Sequence, residues 1–170
     1  MRAGAGARAV ALVAIAFAAC ASAAWAVESD PLPVPKGGAR QRAVVAYNQG
    51  VKLMVEKRYA AAQQKFEEAL AADEKLAEAH NNLAFSLRMQ GALHRERALR
   101  HYDRALELKP DLARAYMYRG VLFTQMGDLA RARADHARLR ALDPQLAASL
   151  ERIMAGDGRD ESYGLTPQYD

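Results

Sequence analysis

The sequence holds a single cysteine, Cys20, in 170 residues. No internal disulfide can form, and beyond that one position there is neither a thiol nucleophile nor a thiolate ligand. Histidine is nearly as scarce. His80, His94, His101 and His136 are the four, and their spacing fits no metal-binding or nucleophile motif. Ser86 and Ser149 lie inside helical stripes with no glycine elbow beside them, and no glycine-rich phosphate loop occurs. These absences argue against an enzyme: no catalytic residues, no metal, no cofactor and no small-molecule substrate are expected. Runs of β-branched residues are few, and alanine and leucine dominate the apolar residues, so helix is favoured throughout.

Residues 1–26 read as a secretory signal. Arg2 and Arg8 give a positive start, residues 9–19 an apolar run, and Ala24-Trp25-Ala26 a small-x-small cleavage site before Val27. Removing them takes two arginines and no acid from a formal charge of +4, leaving +2, so the basic pI is no argument for nucleic acid. Two other readings stay open. Residues 9–27 are uncharged and about long enough to span a bilayer as an uncleaved anchor. Phe17-Ala18-Ala19-Cys20 loosely resembles a bacterial lipobox, which makes Cys20 a candidate for lipidation. All three readings carry the rest of the chain across a membrane, since the positive flank stays inside. The expected location is periplasmic or otherwise exported, with anchoring at the inner or outer membrane as the alternative.

Residues 27–40 read as a linker, where Pro31, Pro33 and Pro35 favour extended polyproline II and Gly37-Gly38 breaks it. Beyond it the chain repeats itself. Residues 43–76, 77–112 and 113–146 align as three pairs of amphipathic helices. Gly50 to Ala84 spans 34 residues, as do Pro110 to Pro144 and Ala98 to Ala132, whereas Gly91 to Gly127 spans 36. Two extra residues therefore sit between Gly91 and Ala98, in the central turn, where a repeat array tolerates an insertion. Packed positions recur: Val44, Tyr47, Val51 and Met54 in the first hairpin, Leu83, Ala84 and Leu87 in the second, and Gly120, Phe123, Met126 and Leu129 in the third. Second helices offer Ala62, Phe66, Ala69 and Leu70; Ala98, Leu99, Tyr102, Ala105 and Leu106; Leu139 and Leu142. Residues 145–155 carry a stripe of Leu146, Leu150, Ile153 and Met154 suited to capping the last apolar face. Residues 156–170 form a polar tail.

Ala62-x3-Phe66, Ala98-x3-Tyr102 and, more loosely, Ala132-x3-His136, with the small residues and closing prolines, resemble the tetratricopeptide repeat (TPR) family. The resemblance covers residues 43–146. It implies an all-α fold: a right-handed α-solenoid of three TPR helix-turn-helix hairpins plus a C-terminal capping helix, the domain running over 41–155. His136, Leu139 and Glu74 depart from the pattern, at slots that usually hold an aromatic, a small residue and a proline.

In such arrays the first helices line a concave groove. Helical spacing projects into it Tyr47, Asn48, Met54 and Val55, with Val51 expected to pack between helices. The second repeat adds Glu78, Asn81, Asn82, Phe85, Arg88 and Met89, and the third adds Arg114, Met117, Tyr118 and Gln125, with Val121 again packing inward. Methionines and aromatics beside amides suit a peptide segment. The family's chaperone-binding subset clamps a C-terminal carboxylate with Lys, Asn and Arg. Asn82 and Arg114 match those slots, but Tyr47, Val51 and Tyr118 do not. The expected function is an exported, non-catalytic protein–protein interaction module or assembly adaptor that binds a protein or peptide segment in the groove. Asn48 and Asn82 would hold its backbone, and truncating Asn82 with Phe85 is expected to abolish capture at little cost in stability. The alternative is a membrane-tethered assembly or stability factor binding through convex arginines: Arg95, Arg97, Arg100, Arg104, Arg131, Arg133, Arg138 and Arg140. Acids interrupt that basic set, so a nucleic-acid partner is not expected.

Overall fold

The computed structural model describes residues 30–156. The expected leader with Cys20, the first linker residues and the tail beyond Gly156 lie outside the described residues. Seven α-helices follow one another: α1 (Gly38–Val55), α2 (Tyr59–Ala72), α3 (Ala77–Met89), α4 (Arg95–Leu108), α5 (Ala113–Gln125), α6 (Leu129–Leu142) and α7 (Pro144–Ala155). Among the described residues there is no strand. α1 pairs with α2, α3 with α4 and α5 with α6; α2 stacks on α3, α4 on α5, and α7 covers α5 and α6. The fold is an α-solenoid of three hairpins closed by a capping helix.

The repeat arithmetic has a physical counterpart. The α1–α2 and α5–α6 turns take three residues each, 56–58 and 126–128, while the α3–α4 turn takes five, 90–94. The two extra residues wind into a single 3-10 turn, Ala92–His94, and leave both helices in register. Gly91 and Gly127 turn the chain with φ of +110° and +78°. The first repeat places Lys57 at the equivalent point with φ of +59°, a left-handed conformation that costs a non-glycine residue about 1–2 kcal/mol. Asp143 caps α7, its carboxylate accepting from the N–H groups of Gln145 and Leu146, with Pro144 at the first helical position where a missing donor is harmless.

Close helix approach sets the core. Ala62, Ala98 and Ala132 are fully buried, and Phe66 of α2 stands over Gly50 of α1. A Cβ at Gly50 would meet that ring at 2.6–2.9 Å. In the third repeat the ring is replaced by His136, and the space over Gly120 is taken instead by Leu150 of α7, 2.5 Å from a Cβ built there. The capping helix thus fills the gap left by the missing aromatic. On the opposite side Arg119 of α5 binds Asp135 of α6 through two hydrogen bonds of 3.0 and 2.7 Å and reaches Asp103 of α4 at 2.6 Å. A bidentate pair of this kind fixes orientation as well as charge. Two apolar positions expected to pack, Leu129 and Leu142, are exposed. No further second helix stacks beyond α6, so the outer edge of that layer stays in water.

These contacts predict opposite outcomes for two similar substitutions. Gly→Ala in a helix interior gains up to about 1 kcal/mol in propensity, and overpacking costs about 1–3 kcal/mol. Gly50→Ala drives a methyl into a rigid ring and should destabilise by about 1 kcal/mol or more. Gly120→Ala meets a rotatable leucine end and should be near neutral. Urea unfolding of the two variants checks this; equal destabilisation would contradict the assignment of the two gaps.

Candidate functional site

The first helices α1, α3 and α5 bring part of the expected set together. Asn82 donates from Nδ2 to the Tyr47 hydroxyl at 3.1 Å, and Asn81 donates from Nδ2 to Asn82 Oδ1 at 2.9 Å. All three are buried. At the end of this relay Asn81 Oδ1 is buried without a hydrogen-bond partner. A buried acceptor left unmade costs about 1–3 kcal/mol. Burial, with the charge of Glu78, pushes the Tyr47 phenol up to about 12, so it stays protonated and neutral. A cavity of about 180 Å³ opens here, lined by Tyr47, Glu78, Asn81, Asn82, Leu112 and Arg114 together with Asp30 and Leu32.

Further along, Phe85 of α3 meets Tyr118 of α5 edge-on, with ring centroids 5.1 Å apart, and Tyr59 at 6.1 Å. The Arg88 guanidinium lies 5.3 Å over the Phe85 ring, a cation–π contact of the kind that shelters a buried charge. α3 is buried all along residues 79–88. That overturns the expectation that Asn82 and Phe85 can be truncated cheaply. Phe85 is 1% exposed, and losing such a ring costs about 3–5 kcal/mol. Met54 is equally buried, with the Ser86 hydroxyl 3.7 Å from its sulfur, and Met117 is buried as well. Asn48, Met89, Arg114 and Tyr118 are half-buried, while Gln125 and Val55 are exposed. Gln125 ends α5 apart from the relay.

Asn48 holds a backbone, and it is the chain's own. Its Oδ1 accepts from the Leu32 N–H and its Nδ2 donates to the Leu32 carbonyl, both at 2.8 Å. Reading the sequence as a linker missed Leu32, because nothing in a proline-spaced run says which side chain will meet it.

Sequence reasoning also missed a pair of histidines. His80 of α3 and His101 of α4 stack with centroids 5.3 Å apart and Nδ1 atoms 3.0 Å apart. His80 Nε2 lies 3.0 Å from the Glu74 carbonyl, which only accepts, so that nitrogen carries the proton. His80 Nδ1 is then the acceptor and His101 Nδ1 donates to it. Burial pushes His80 below its ordinary value, and burial with the charge of His80 pushes His101 down to about 4. Among the described residues no group of three or more His, Cys, Asp or Glu could hold a metal. No described helix is long and apolar enough to cross a membrane.

No protein-family model matches the chain. A stretch of 74 residues is 35% identical to the mouse (Mus musculus) "FK506-binding protein-like"; it covers 42% of this chain and only 21% of that protein's length. Among solved structures that share the fold are two TPR domains. The Arabidopsis OM64 TPR domain superposes with a TM-score of 0.65 at 20% identity, over 71% of this chain and all of that one. The first TPR of Spaghetti (RPAP3), bound to the HSP90 peptide SRMEEVD, gives 0.62 at 22% identity, over 68% of this chain and 93% of that one. The fold is therefore that of a TPR solenoid.

The histidine pair generates a pH prediction. Unfolded, both rings titrate near 6.5; folded, His101 takes its proton only near 4. As pH falls the unfolded chain binds protons first, so the stability held by the neutral pair is complete above about 6.5 and is lost down to about 4. His101→Gln should flatten the change in melting temperature between about pH 7 and about pH 4.5. An unaltered pH dependence in that variant would contradict the pairing.

Proposed function

We propose that the chain is an exported, non-catalytic protein–protein interaction module or assembly adaptor that takes a partner segment into the groove lined by α1, α3 and α5. The observation that carries this is the cavity lined by Tyr47, Asn81, Asn82, Glu78 and Arg114, where amides, a phenol and charged groups converge on one opening between the first helices. Amides and hydroxyls of this kind can pair with a segment's backbone. The half-buried Tyr118, backed by the buried Phe85 ring, adds aromatic area to the same surface. The peptide bound to the RPAP3 repeat, on a similar fold, supports a peptide as the ligand class. Export rests on the leader-like residues 1–26.

The alternative is a tethered assembly or stability factor, held by an uncleaved leader or by lipid on Cys20, that binds through the basic convex face. Arg100, Arg133 and Arg140 stand exposed there. Other convex arginines are already engaged, Arg97 with Glu67, Arg104 with Glu107, and Arg131 with Asp128 and the Phe123 ring. Arg97–Glu67 and Arg131–Phe123 bridge helices, the other two pairs are local, and all leave less of the face for a partner.

A photo-crosslinking residue placed at Arg114 should capture one partner from the exported fraction, and the same residue at Arg133 should not. The capture should lose less to raised salt than binding through the convex arginines, since the amides, phenol and leucines of the cavity are screened little and its charged walls are partly sheltered, whereas exposed charge pairs weaken. Capture from position 133 alone, lost at high salt, would favour the convex face. Mass analysis of the secreted chain should place its N-terminus at Val27; a retained leader or a lipid-sized mass on Cys20 would favour the tethered reading.

A further inference from the structure

The segment before α1 is seated on the groove in a way that describes the groove's ligand. Leu32 gives its N–H to Asn48 Oδ1 and receives from Asn48 Nδ2 at its carbonyl, both at 2.8 Å. In extended backbone the N–H and C=O of one residue point to the same side, which is what a single carboxamide needs to bind both. Asp30 and Leu32 each precede a proline, which excludes helix and favours that extended form. Leu32 supplies the N–H that Pro31 and Pro33 lack. Its side chain packs on the apolar core, and with Asp30 it walls the cavity beside Tyr47, Asn81, Asn82 and Arg114.

The seat is shallow. Pro31 and Pro33 are exposed, as is Val34, so two hydrogen bonds and one partly buried leucine hold the segment. Behind it Gly37 and Gly38 have φ of +75° and +78° with nothing packed where their side chains would be. Glycine there tolerates a change of backbone conformation; Gly37 offers α1 no side-chain cap, and its own N–H donates to the exposed Gln41 Oε1 at 3.0 Å.

We propose that residues 30–34 are a built-in competitor for the groove, displaced by a partner segment of the same chemistry: extended, with an apolar residue that keeps its N–H between prolines. This rests on the groove being the interaction surface and adds who occupies it at rest. The tether keeps the strap at a high effective concentration, of the order of mM. A partner's apparent affinity is its intrinsic affinity reduced by the fraction of molecules with the strap open. The strap therefore raises the intrinsic affinity that any partner needs in order to occupy the groove.

The probe is a labelled peptide with the sequence of residues 27–36, followed by fluorescence anisotropy against the full chain. Leu32→Ala in the protein loosens the strap and should tighten peptide binding about tenfold over the unaltered chain. Adding Asn48→Ala to that variant should abolish the gain, and a peptide carrying Leu32→Pro, which lacks the N–H, should not bind. Unchanged helicity by circular dichroism controls for folding. In the unaltered protein, excess peptide should speed hydrogen exchange at the Leu32 amide. No tightening in Leu32→Ala, binding indifferent to Asn48, or exchange unmoved by peptide would each overturn the proposal. So would a dimer dissolved by Asn48→Ala, which would mean that copies trade straps. A partner crosslinked at Arg114 while the strap tests fail would leave the groove reading standing without the competitor. Failure at Arg114 with the strap tests positive would remove the partner and keep the strap.

Discussion

A helical hairpin of this length has two faces and can bury only one against itself, so its stability depends on a neighbour. The structure satisfies that requirement three times and then closes it. α2 lies on α3, α4 on α5, and α7 takes the place of a fourth hairpin. Helices come this close because small residues occupy the crossings: Gly50 under the Phe66 ring, Gly120 under Leu150, and alanines at 62, 98 and 132 that are fully buried. Remove the close approach and the rings lose the surface they lean on. α3, with a hairpin on either side, is buried along residues 79–88.

The same stacking generates the site. Placing first helices side by side on one edge leaves their polar residues between layers, where water is scarce and each group must find a partner. Tyr47, Asn82 and Asn81 solve this across two repeats, and the relay runs out at Asn81 Oδ1. On the other edge Arg119 joins α4, α5 and α6 through Asp103 and Asp135. Charge pairs thus join α4, α5 and α6, while the relay between α1 and α3 ends in a buried acceptor on a residue that lines the cavity.

Much of this was legible in the residues. Three matching segments, the two-residue surplus before Ala98 and the stripe of residues 145–155 specify hairpins, a longer central turn and a capping helix. All depend on local periodicity, which sequence records directly. What escaped depends on distance in the chain. Asn48 and Leu32 are 16 apart and His80 and His101 21 apart, and no spacing rule couples a linker to a helix face. Burial depth escaped too: helical spacing places Phe85 and Asn82 on the concave side, but how far they sink depends on the helices beside them. The exposure of Leu129 and Leu142 follows from where the array stops, a property of the whole stack.

If stacking between neighbours is what holds the chain together, protection should grade along it. Native-state hydrogen exchange resolved by residue tests this most directly, because it reads the opening free energy of each helix. The account predicts that amides of α3 exchange slowest, with protection falling outward through α1 on one side and α6–α7 on the other. Uniform protection, or an α3 that opens before the outer helices, would contradict it.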